Sequence, residues 1–156
     1  VSGFRDAVVA TPALNSAFNS GLQALDRGHR TSIDHEGVRL EGSVAVDDAL
    51  KKLHPTDARV DYAVAFKPRG KSAPTRVDWI EFHPATEGDV KKVERKFDWL
   101  DAWLGGEGKA LAKFDKRKVW IAVGSGRMSP TSRDRRRIAQ AGIVFAGTKA
   151  RAHSLS

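Results

Sequence analysis

Two apolar segments joined by a proline- and glycine-containing turn constrain this chain more than anything else in it. Residues 59–66 run Arg-Val-Asp-Tyr-Ala-Val-Ala-Phe, and residues 77–83 run Val-Asp-Trp-Ile-Glu-Phe-His. Both alternate or run apolar in the manner of strands. Residues 67–74 between them (Lys-Pro-Arg-Gly-Lys-Ser-Ala-Pro) read as a turn, because proline presets one backbone angle and glycine admits conformations closed to other residues. Antiparallel pairing sets the start of the first segment beside the end of the second, and so sets Asp61 beside Glu81. Two carboxylates converging at one end of a hairpin suit a hard divalent cation. Taken singly, each acid also has a plain structural reading: Asp61 satisfied by turn amides at a strand start, Glu81 exposed near an edge.

The flanking sequence says what the hairpin is embedded in. Thr11-Pro12 predicts a helix start, with Leu14, Phe18, Leu22 and Leu25 at helical spacing and Gly28 as a stop. Phe4, Ala7 and Val8 predict a short preceding turn of helix. Val38, Leu40, Val44 and Val46 alternate with polar or small residues, which predicts a half-buried strand with Gly42 as a bulge or close approach. Asp47 is placed to cap a short helix that runs through Leu53 and stops before Pro55. After the hairpin, Thr86 opens the clearest helix, with Val90, Val93, Phe97, Leu100 and Leu104 on one face and Gly105-Gly106 at its end. Residues 118–123 are nearly continuously apolar and predict a central strand covered on both faces. Ser129-Pro130 starts a second helix that Gly142 ends, residues 143–146 form a short last strand, and the tail from Lys149 is expected to fray.

Helix, three strands, helix, strand, helix, strand is the order of a mixed α/β sheet of about five strands with helices on both faces. At 156 residues the chain fits one domain spanning 1–156, with 149–156 as the frayed tail. Cysteine is absent, which removes disulfides and thiolate metal sites and fits a reducing compartment. With no evident secretory signal and no apolar run long enough to span a membrane, the expectation is a cytoplasmic protein without a membrane partner.

Charge points to the partner. The chain holds 27 Lys plus Arg against 19 Asp plus Glu, a net charge of +8, and the excess is concentrated after residue 108. Arg133, Arg135, Arg136 and Arg137 fall in the first turns of the last helix, where they oppose the helix dipole. With Arg127 in the Gly124-Ser125-Gly126-Arg127 loop, they are candidates to hold a nucleic-acid backbone. The plain alternatives are an exposed basic helix end and an ordinary loop. That loop is no Walker motif, since the Gly-Lys-Ser/Thr ending is missing. Trp99, Trp103 and Trp120 read most simply as core or near-core packing, with base stacking as the alternative. The histidines show no metal-ligand spacing, and no serine sits in a nucleophile-elbow context. Among further acids, Asp47 reads as a helix cap before it reads as a ligand, and Glu41, Asp48 and Glu36 have weaker claims. Asp78 lies on the strand face opposite Glu81.

The order of elements, the acid at the start of the second strand and the acid-x-basic triplet Glu81-Phe82-His83 resemble the restriction-endonuclease-like, or PD-(D/E)xK, nuclease superfamily over residues 14–145. The resemblance implies Mg²⁺- or Mn²⁺-dependent hydrolysis of phosphodiester bonds in DNA or RNA, with DNA favoured. Asp61 and Glu81 would be the metal ligands, and a homodimer is an assembly many such nucleases use to cut two strands. Val60 stands where the family often has proline. The larger departure is His83, which occupies the place of the usual lysine. A neutral histidine could act as a general base, or a histidine could ligate the metal. Alternatively the lysine has migrated to Lys92 or Lys96, four apart on the following helix and beside its apolar stripe. The remaining reading is a nucleic-acid-binding module on the same fold that has lost its chemistry.

Overall fold

The hairpin forms in the computed structural model, which describes residues 3–69, 72–86, 88–124 and 130–152. In chain order the elements are α1 (Phe4–Val9), α2 (Arg27–Arg30), β1 (Ile33–Asp34), β2 (Val38–Ala45), α3 (Val46–Leu50), β3 (Tyr62–Pro68), β4 (Arg76–His83), α4 (Asp89–Leu104), β5 (Asp115–Ala122), α5 (Ser132–Gln140), β6 (Ile143–Phe145) and β7 (Ala150–Arg151). Five strands form one sheet in the order β2-β3-β4-β5-β6, and β1 pairs with β7 in a separate ladder. Pairing is antiparallel across β2-β3-β4 and parallel across β4-β5-β6, with α4 and α5 as the two crossovers. The sheet is therefore mixed, as the order of elements predicts.

Both faces of β3 are buried, and its side chains differ by face. Ala63 and Ala65 are small on the side that carries Trp79 and Trp120, where Val90, Val93, Phe97 and Leu100 of α4 pack. Tyr62, Val64 and Phe66 face the other way and join Ile80, Phe82, Val119 and Ile121. Small residues opposite bulky indoles let α4 sit close to the sheet at native packing density. α5 covers the same face through Ile138. The second face is covered by irregular chain around Leu25 and Ile33 and by Ala150 and Ala152, with α2 as its helix. Among the described residues no helix is long and apolar enough to cross a membrane.

The bulge expected at Gly42 is present: the β2-β3 register shifts between Leu40 and Gly42. A Cβ there would lie 2.3 Å from the Phe18 ring and 2.9 Å from the Asn19 carbonyl oxygen, so only glycine admits this approach. The shift also moves the strand's apolar side chains between faces, since Val38 joins one core and Val44 the other.

Several local expectations are corrected. Residues 10–18 form successive turns instead of a helix from Thr11-Pro12. The Thr11 hydroxyl donates back to the Ala7 carbonyl, Ala13 takes a positive φ of 66°, and Asn19 bridges to Ser43, so tertiary contacts override the apolar spacing. Gly28 sits inside α2 and does not stop a helix. α3 ends at Leu50, and Asp47 does not cap it; its carboxylate accepts from Arg59 Nε at 2.9 Å. Gly88 and not Thr86 is the N-cap of α4. Thr131 caps α5 by accepting from the Asp134 amide, while Ser129 lies outside the described residues. The tail does not fray through residues 149–152, because β7 pairs with β1 and buries Ala150 and Ala152. Arg76 donates to the Ala152 carbonyl and Arg117 to that of Arg151.

Candidate active site

The register of the hairpin builds the site. Tyr62 lies opposite Ile80, so one step outward Asp61 meets the end of β4. Its Oδ2 accepts from the Phe82 amide at 2.9 Å. Along β4, alternation sends Trp79, Glu81 and His83 toward α4, and Glu81 is wholly buried at 0% exposure. From α4, Lys96 places Nζ 2.5 Å from Glu81 Oε2. His83 Nδ1 lies 3.4 Å from the same oxygen, and its Nε2 lies 2.9 Å from Asp89 Oδ1. The other Asp89 oxygen accepts from the Thr86 amide at 2.8 Å and from the Thr86 hydroxyl. Glu81 Oε1 is buried and has no hydrogen-bond partner among the described residues.

The charges are unevenly balanced. Burial pushes the Asp61 carboxyl up to about 7, and the neighbouring charge of Glu81 adds to the rise against the Phe82 amide and Lys96. Hydrogen bonding to Glu81 raises His83 above its ordinary value, and Asp89 adds to this against the effect of burial. Burial would raise Asp89, but hydrogen bonds from Thr86 and His83 outweigh it and hold that carboxyl below its ordinary value. His83 thus favours its cationic form, clamped between two carboxylates.

Of the two candidate lysines, the fold brings in Lys96; Lys92 is exposed. Three residues of the predicted basic group, Arg133, Arg136 and Arg137, line a cleft beside the site, whereas Arg135 is exposed outside it. Arg127 lies outside the described residues. Much of the remaining C-terminal charge is consumed internally. Lys116 and Lys118 pair with Asp101, and Arg117 pairs with Asp78. The weaker acid candidates are elsewhere: Glu41 accepts from Thr75, and Asp48 pairs with Lys51. Trp79, Trp103 and Trp120 are buried and pack in the core, and half-buried Trp99 stacks one ring face on Trp103. Asp89 is the site residue that sequence reasoning misses. Its signal is the Thr86-x-x-Asp89 spacing of a helix start, in which the acid reaches back to threonine and leaves one oxygen for His83.

A divalent cation fits this donor set. Two carboxylates lie close enough for the charge of one to act on the other; Asp61 is pushed to about 7, and Glu81 keeps a buried oxygen without a partner among the described residues. Among the described residues no group of three His, Asp or Glu is placed to cage an ion alone. Mg²⁺ does not require such a cage, since it commonly takes one or two carboxylates and completes its shell with water and phosphate oxygens. Asp61 and Glu81 would be those two ligands. Comparison of the chain with protein families, with curated proteins and with solved structures finds no match.

Proposed function

We propose that this chain is a Mg²⁺- or Mn²⁺-dependent nuclease of the restriction-endonuclease-like kind. The observation that carries the reading is Glu81: a wholly buried carboxylate with one oxygen held by Lys96 and the other without a partner among the described residues, beside Asp61, whose carboxyl burial pushes up to about 7. Buried polar atoms are nearly always satisfied, so an orphaned one in a polar pocket marks a place for a ligand. The acid from the start of β3, the acid from β4 and the helix-borne lysine support the family reading, with Lys96 taking the role of the motif lysine.

When bound, the metal supplies Lewis acidity and neutralises charge on the phosphate. The chain's own groups do the rest. Lys96 sets its ammonium where it can orient the attacking water and meet the charge that develops on phosphorus oxygens. His83 is a positioning residue: with both ring nitrogens engaged by Glu81 and Asp89, it fixes the Glu81 carboxylate and ties it to the start of α4. Hydrolysis adds water across one P–O ester bond and leaves a phosphate monoester and a free hydroxyl.

The test is a cleavage assay on plasmid, single-stranded DNA and RNA with Mg²⁺ or Mn²⁺, comparing the wild type with Glu81→Ala. Metal-dependent cleavage by the wild type, reduced to background in the variant, is the expected result. Nucleic-acid binding with no cleavage under either metal would instead identify a non-catalytic module.

A further inference from the structure

A cleft of about 880 Å³ opens between the start of α4 and the start of α5. These helices follow β4 and β5, so the cleft lies at the carboxyl ends of two adjacent parallel strands. It is joined to the candidate active site through two of its own lining residues. Thr86 holds the Asp89 carboxylate that engages His83, and Trp120 donates from Nε1 to the His83 carbonyl at 3.0 Å. Four cations, Lys91, Arg133, Arg136 and Arg137, line it against one carboxylate, Asp134. Arg137 is engaged by Glu94 at 2.6 Å. Lys91, Arg133 and Arg136 have no acidic partner among the described residues and are exposed.

Three unpaired cations lining a cavity are an unfavourable arrangement that an anion relieves. The positive ends of both helix dipoles add to the field. The shape restricts which polyanion enters. A volume of this order seats compact ligands, typically in clefts of roughly 300–1,000 Å³. The apolar lining of Ala85 and Val90 suits sugar and base surfaces, which a duplex keeps stacked inside.

We infer that this cleft takes a single nucleic-acid strand, gripped through its phosphates by Lys91, Arg133 and Arg136 and led toward Glu81. The inference rests on the nuclease reading for its direction but not for its measurement.

The experiment is fluorescence anisotropy of a labelled 12-nucleotide strand, as DNA and as RNA, and of the same sequence as duplex, all in EDTA so that nothing is cut. The expected result is at least tenfold tighter binding of the single strand. Arg133→Glu with Arg136→Glu should weaken that binding at least tenfold and reduce the salt slope by roughly 1.4, about 0.7 for each phosphate no longer neutralised. Arg39→Glu, an exposed cation on β2, should leave binding unchanged, and circular dichroism should report an intact fold in both variants. Equal or tighter binding of the duplex, or unaltered binding by the double variant, overturns the cleft assignment. The nuclease reading survives either of those outcomes if Glu81→Ala still abolishes cleavage. Conversely, cleft-dependent binding without any cleavage by the wild type removes the nuclease and keeps the cleft.

Discussion

β4 buries two carboxylates three residues apart, and the sheet's alternation sends them to opposite faces with opposite fates. Asp78, 2% exposed, is fully answered: Arg76 Nε lies 2.9 Å from one oxygen and Arg117 Nη2 lies 2.7 Å from the other. The same two arginines bind the carbonyls of Ala152 and Arg151, so this cluster fastens β7 to the sheet. Glu81, 0% exposed, shares one oxygen between Lys96 and His83, and its other oxygen has no hydrogen-bond partner among the described residues. Burial alone therefore does not distinguish these two acids. The separation lies in whether the surrounding charge closes. Around Asp78 planar guanidinium groups saturate the carboxylate. Around Glu81 the charge of a second carboxylate acts, and one acceptor has no partner among the described residues.

The largest effect that can break this comparison is on stability. Asp78→Ala should cost about 3–5 kcal/mol, because it removes the buried carboxylate that two arginines share. Glu81→Gln should change stability by less than about 1 kcal/mol, since it retains the side-chain volume, relieves Asp61, and leaves Lys96 able to reach water. Urea unfolding of both variants in EDTA at pH 7 measures the difference. If Glu81→Gln costs as much as Asp78→Ala, Glu81 is a second structural cluster and the contrast collapses.

Next in size is the choice between two lysines on one helix. Lys96→Met should lower metal-dependent cleavage by about 10²–10³-fold, the range seen when one charge-stabilising donor is removed. Lys92→Met, exposed one turn earlier, should leave the rate within a factor of two of wild type. Single-turnover rates with saturating Mn²⁺ make the comparison. A larger loss at Lys92 would refute the site geometry.

These residues also show how far the sequence could be read. The hairpin, its register and the juxtaposition of Asp61 with Glu81 were legible because period-two alternation and a Pro/Gly turn leave few pairings open. α4 was legible for the same kind of reason, through its apolar stripe. The choice of Lys96 over Lys92 was not, because both flank that stripe and only the depth at which α4 sits on the sheet decides between them. Asp89 was hidden because its spacing from Thr86 looks like ordinary helix capping. The helix expected after Thr11 failed because Phe18 is drawn onto Gly42, a contact 24 residues away in sequence that no local pattern reveals. The ordering of residues 149–152 was missed for a similar reason. Its anchors, Arg76 and Arg117, are far away in sequence and look like part of a general basic excess.

The smallest effect, and the one that sharpens the contrast most, is the pH dependence of stability without metal. The Asp61 carboxyl stands near 3.8 in an unfolded chain and is pushed up to about 7 when folded, so between those values the folded state binds the extra proton. Stability contributed by this group therefore falls as pH rises from about 4 to 7. His83 acts in the same direction at higher pH. Its folded value is raised, so its contribution is complete below 6.5 and is lost as pH climbs through the folded value. In EDTA the melting temperature should thus decline from pH 5 to pH 8, Asp61→Asn should flatten the lower part of the decline, and His83→Gln the upper part. Added Mn²⁺ should restore the wild type most at pH 8, above the value of about 7 to which the Asp61 carboxyl is pushed, and should not restore Glu81→Gln. A wild-type profile in EDTA that is already flat, or a Mn²⁺ gain equal in wild type and Glu81→Gln, would place Glu81 with Asp78 as an acid whose charge the protein itself has closed.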